Sequence, residues 1–115
     1  MNIYGVFISS GHINESACAY NMLGLLLERQ HLYRGAVKAF EAAQKLLETV
    51  QDATLSDMVY SNYGRVLVQL QQYEEAICVY QQVKKPDFST QCGLSVAYFK
   101  GKCYGIAHMG TRVSD

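Results

Sequence analysis

Tyr20-Asn-Met-Leu-Gly24-Leu-Leu-Leu27, followed by Ala36-Val-Lys-Ala-Phe40, is answered forty residues later by Tyr60-Ser-Asn-Tyr-Gly64-Arg-Val-Leu67 and Ala76-Ile-Cys-Val-Tyr80. A third, shorter echo runs through Leu94-Ser95-Val-Ala-Tyr98 to Ala107. In each copy a small residue (Gly24, Gly64, Ser95) precedes an alanine (Ala36, Ala76, Ala107) by twelve positions. A tyrosine (Tyr33, Tyr73, Tyr104) stands three before that alanine every time. One interval kept three times marks an internal repeat, and an ordinary helical bundle has no reason to reproduce it.

Within each copy apolar residues recur at steps of three and four, the period of one helix face. The pattern predicts paired helices over 15–29 and 33–50, 57–70 and 73–83, and 88–100 and 103–109. Tight turns are expected at Gln30-His31 and Gln71-Gln72. Each pair would cross at its small residue and its alanine, where backbones can approach, with aromatics filling the space beside them. The repeat-packing set is therefore Gly24, Ala36, Phe40, Gly64, Ala76, Tyr80, Ser95 and Ala107.

The letters follow the pattern aromatic-x-x-Leu-Gly-x-x-Tyr … Ala-x-x-x-Phe, with Leu27 and Leu67 standing at its tyrosine, and over residues 17–107 the chain resembles the tetratricopeptide repeat family. The resemblance implies an all-α, right-handed solenoid of antiparallel helix pairs, with two full repeats and a partial third. Residues 1–14 match no part of a repeat, 15–109 hold the repeats (17–50, 57–86 and a partial 88–109), and 110–115 form a tail. The small residues lie forty and then thirty-one apart, against a usual repeat of about 34 residues. Extra residues are expected to lengthen the helix through Gln44–Gln51, and Lys84-Lys85-Pro86 to shorten the next, since proline removes a helix donor. With Thr111 where Phe40 and Tyr80 stand, and no polar capping helix, the chain reads as an excerpt or alternative product of a longer array.

That irregular spacing, the Asn62–Leu67 run and the break at Pro86 are similar to a mid-array stretch of the large tetratricopeptide scaffold subunits of superkiller (Ski) complexes. The resemblance implies a cytoplasmic scaffold, present in the nucleus besides, joining an RNA helicase to WD-repeat subunits and supporting exosome-mediated 3'–5' mRNA decay. The alternative is a stand-alone adaptor that holds a peptide in its concave groove.

Composition agrees with a repeat domain and excludes several other classes. At 50% hydrophobic and 17% charged, the chain is too apolar for a disordered tail. Ten Lys/Arg balance ten Asp/Glu, so no net field draws it to nucleic acid or to a membrane surface. Cys18, Cys78, Cys92 and Cys103 form no C-x-x-C pair, and Cys92, Cys103 and His108 lack zinc-ligand spacing, so no metal is expected. Signatures for phosphate, nicotinamide, serine-hydrolase or zinc-protease chemistry are absent, which predicts no cofactor and no catalytic residue. Glu74-Glu75 opens a helix, where carboxylates suit the dipole.

In this family the first helices of successive units line a concave groove. Cys18, Asn21, Leu25 and Glu28, then Met58, Ser61, Arg65 and Val68, then Ser89, Cys92, Val96 and Phe99 would face into it. Asn21, Leu25, Met58, Asn62, Arg65, Gln69 and Val96 form the candidate partner groove, with Asn21, Asn62, Arg65 and Gln69 as polar handles. Tetratricopeptide co-chaperones grip the C-terminal carboxylate of Hsp70 or Hsp90 with lysine, asparagine and arginine. The matching places here hold Asn21, Leu25, Asn62, Ser89 and Gly93, so only Asn62 fits and no cation answers the carboxylate.

Overall fold

Helix starts and stops follow from a few side chains. The structure, a computed structural model, describes residues 12–50 and 52–114, with side chains only as far as Lys102. Five helices are present among them: α1 Ile13–Arg29, α2 Tyr33–Leu47, α3 Ala53–Gln69, α4 Tyr73–Tyr80 and α5 Phe88–Ser114. No strand occurs among the described residues. The architecture is the all-α solenoid of helix pairs.

The two turns inside the pairs are copies of one another. His31 and Gln71 both adopt φ 61°, the left-handed region. The Leu32 N–H reaches back to Leu27 O and the His31 N–H to Glu28 O, both at 2.9 Å. Gln72 to Leu67 and Gln71 to Val68 repeat those bonds at 2.9 Å. Carbonyls that a helix end leaves unpaired are thereby satisfied, and the chain reverses in three residues.

Reversal lays each second helix on its first. The Phe40 ring sits against Gly24 and the Tyr80 ring against Gly64, so close that a Cβ at either glycine would stand under 3 Å from ring carbons. Ala36, Ala76, Phe40, Val59, Val66 and Leu67 are fully or almost fully buried. Each helix packs on its neighbours in sequence, with α1 also touching α3 and α3 touching α5. The result is an elongated body of 60 × 27 × 22 Å.

Several boundaries differ from the sequence expectation, and at α2, α3 and α4 a hydrogen bond to the main chain accompanies the difference. α1 opens at Ile13, inside the stretch 1–14 read as non-repeat, while residues 1–11 lie outside the described ones. α2 stops at Leu47 instead of running to 50, where the Thr49 hydroxyl donates to Leu46 O (2.8 Å) and the last bonds tighten to i→i+3. α3 begins at Ala53 instead of 57 because the Asp52 carboxylate caps it, accepting the Leu55 N–H at 3.0 Å. α4 ends at Tyr80, well before Pro86. The Asp57 carboxylate accepts the Lys84 and Lys85 N–H groups (2.9 and 3.0 Å), which a continuing helix would have used itself.

The third unit departs most. α5 runs unbroken from Phe88 to Ser114, where a turn and a second helix over 103–109, then a tail over 110–115, were expected. A reversal is stabilised when the returning helix docks an aromatic on the first, and Thr111 stands in that place. Ser95 is exposed, and it is Gly93 that lies under the Tyr80 hydroxyl. The Ala107 side chain lies outside the described residues.

Candidate partner-binding groove

α1, α3 and the start of α5 lie side by side, and two open clefts separate them. The first, about 580 Å³, is lined by Met22, Leu25, Leu26, Glu28, Arg29, His31, Tyr33 and Arg65. The second, about 440 Å³, is bounded by α3, the linker after α4 and the first turn of α5, with Met58, Ser61, Asn62, Lys85 and Thr90 among its walls. Arg65 lines both.

Polar groups join the units across these seams. Arg65 Nε donates to Glu28 Oε2 at 2.7 Å, and its terminal nitrogen donates to Glu28 Oε1 at 2.6 Å. This is the two-pronged geometry that suits guanidinium and carboxylate. Hydrogen bonding to Glu28 holds the Arg65 guanidinium more firmly charged than usual, against the opposing pull of burial. Asn62 Nδ2 donates to Asn21 Oδ1 at 2.9 Å, and Asn21 Nδ2 faces Met58 Sδ at 3.6 Å. Ser61 and Thr90 hydroxyls lie 2.6 Å apart across the next seam. The Thr90 N–H, bonded to Asp87, holds that carboxyl below its ordinary range. Behind the groove, burial first and then the bond to Glu41 (3.0 Å) raise the Tyr63 phenol well above its usual value. Burial raises Tyr80 as well.

The candidate residues separate accordingly. Asn21 and Asn62 are buried and spend their amides on each other and on Met58, so they are rungs between units and not the free handles expected. Arg65 is committed to Glu28. Leu25 is half-buried, while Met58, Gln69 and Val96 are exposed. Phe88, Tyr98 and Phe99 add exposed aromatic surface on α5. Sequence reasoning missed the Asp57 brace and the caps at Asp52 and Asp87. The caps carried a signal, an aspartate three residues ahead of a residue that turned out buried. The Glu28–Arg65 and Asn21–Met58 pairs each span 37 residues, one helical turn less than the forty-residue repeat. Among the described residues no cluster could hold a metal ion, and no helix is long and apolar enough to cross a membrane.

A groove built from helix pairs that lock through glycine and an aromatic, stacked in sequence order, defines a protein-interaction scaffold. The tetratricopeptide repeat family matches residues 15–85, and the chain belongs to that family. It is 30% identical over 88 residues to Tetratricopeptide repeat protein 37 of Xenopus laevis, covering 76% of this chain and 6% of that protein. It is 29% identical over 92 residues to Superkiller complex protein 3 of Mus musculus, covering 80% of this chain and 6% of that protein. A more distant relative is the Alpha-soluble NSF attachment protein of Vitis vinifera, 23% identical over 84 residues, with coverage of 73% and 29%. The chain thus spans about a sixteenth of the length of the first two. No solved structure matches it.

Proposed function

We propose that the chain is a scaffold segment of a superkiller-type assembly, holding a protein partner along the face formed by α1, α3 and the start of α5. The observation that carries this reading is the similarity to Superkiller complex protein 3 over 80% of the chain. The two adjoining clefts, with exposed Leu26 in the first and exposed Met58 in the second, supply surface for a partner. By the same resemblance the partners are an RNA helicase and WD-repeat subunits, and the setting is cytoplasmic 3'–5' mRNA decay.

The test is affinity purification of the tagged chain from cytoplasmic extract, followed by mass spectrometry, in parallel with Met58→Glu. The expected outcome is recovery of a helicase and a WD-repeat protein with the parent and a marked loss with the variant. Met58 is 48% exposed in the groove but its sulfur also faces the buried Asn21 amide, so circular dichroism and a melt of the variant check that the seam between units holds. Recovery of neither protein overturns the superkiller reading. Equal recovery with Met58→Glu overturns the assignment of this face.

A further inference from the structure

We propose that the cleft between α1 and α3 receives an aliphatic side chain flanked by a carboxylate, so that the segment bound there is acidic and leucine-rich. The inference rests on the groove reading above and adds the chemistry of the occupant. The floor is aliphatic: Leu25 is half-buried, and Met22 and Leu26 leave 58% and 53% of their surface uncovered. A space of about 580 Å³ suits a few side chains, the size range of small binding sites.

The charge around that floor is one-sided. Glu28 supplies the lining's sole carboxylate, and both its oxygens are taken by Arg65. Arg29, exposed in the last turn of α1, has no hydrogen-bond or ion-pair partner among the described residues. A carboxylate brought to Arg29 gains a charge-assisted bond, while a lysine there would meet an unpaired guanidinium. The negative end of the α1 dipole opposes an anion, but its last carbonyls already accept the turn N–H groups of Gln30, His31 and Leu32. A full unpaired charge outweighs that residual partial one.

The experiment is fluorescence polarisation with the full chain and three labelled octapeptides. Their centres are leucine-leucine-aspartate-aspartate, the same with lysine for aspartate, and the same with serine for leucine. The first peptide is expected to bind, and the other two to bind about tenfold more weakly or worse. Arg29→Glu should reverse the order of the first two, Leu26→Ser should weaken the first, and Lys38→Glu, an exposed site on α2, should change nothing. Circular dichroism of each variant checks that its helices persist. Equal binding of the aspartate and lysine peptides, still weakened by Leu26→Ser, overturns the charge assignment and leaves the groove standing. Binding of none, or indifference to Leu26→Ser, overturns both. Concentration-dependent dimers abolished by Leu26→Ser would give the cleft to a second copy of the chain and overturn the proposal.

Discussion

Two glycines and two aromatic rings set the distance between paired helices. A Cβ at Gly64 would stand 2.7 Å from Tyr80 Cε1, and one at Gly24 would stand 2.5 Å from Phe40 Cε1. Neither ring can withdraw, because Phe40 is fully buried and Tyr80 is held between Gly64 and Gly93. Gly64→Leu is therefore expected to lower stability by about 1–3 kcal/mol or more, the cost of overpacking a filled core. Lys38→Gln, at an exposed position, should stay within about 0.5 kcal/mol. Chemical denaturation of both variants measures this, and equal midpoints would mean that the ring does not rest on Gly64. These contacts were legible because a missing side chain at a fixed interval leaves a mark in the letters. Gly93 was not, because the interval pointed to Ser95 and nothing in the sequence says that Tyr80 would span two seams.

Among the elements, helix existence and order could be read from periodicity, and most of the errors lay at the ends. Periodicity reports which face is buried and is silent on where a competing side chain interrupts the backbone bonds. Thr49, Asp52 and Asp57 decide three of the ends through one or two hydrogen bonds to the main chain. The third unit shows the other kind of limit. Tyr104 and Ala107 carry the second-helix pattern, yet α5 passes straight through Gly101, whose neighbour is Tyr73 of α4. Gly101→Pro distinguishes the two arrangements. In a continuous helix it removes a backbone bond and costs about 3 kcal/mol. A clear loss of far-ultraviolet helical signal is expected, with faster amide exchange around Lys100–Cys103. If helicity and exchange were unchanged, a turn would already lie there.

At the scale of the whole molecule, stability is a sum over neighbours. Among the described residues, contacts join consecutive helices and first helices of successive units, and none links α1 to α5. With no contact among the described residues between the first helix and the last, the stack opens from its outer helices. α2 and α3 hold the largest fully buried side chains, while α5 leaves Phe88, Tyr98 and Phe99 at 81%, 50% and 70% exposure. Native-state amide exchange is expected to show greatest protection in α2 and α3, less in α4 and least in α5. The melt should be broad, with some self-association on light scattering. Uniform protection with a sharp monomeric transition would show a cooperativity that sequential packing does not supply. The groove was the least legible feature at this scale. Sequence placed Asn21, Asn62 and Arg65 on the right helices but could not show that each is consumed by a partner across the seam.

The left-handed residues His31 and Gln71 bear on how this sequence has drifted. Side chains with a Cβ are strained there by about 1–2 kcal/mol, and glycine or asparagine would be the relaxed choice. Both turns nonetheless close with full sets of bonds, because the helices they join are locked elsewhere by Gly24 with Phe40 and Gly64 with Tyr80. Ordinary residues persist at the corners because the lock holds against their strain. Selection on such a chain falls on the crossing points and leaves the corners to wander, so descendants should diverge first at the turns and last at the glycines.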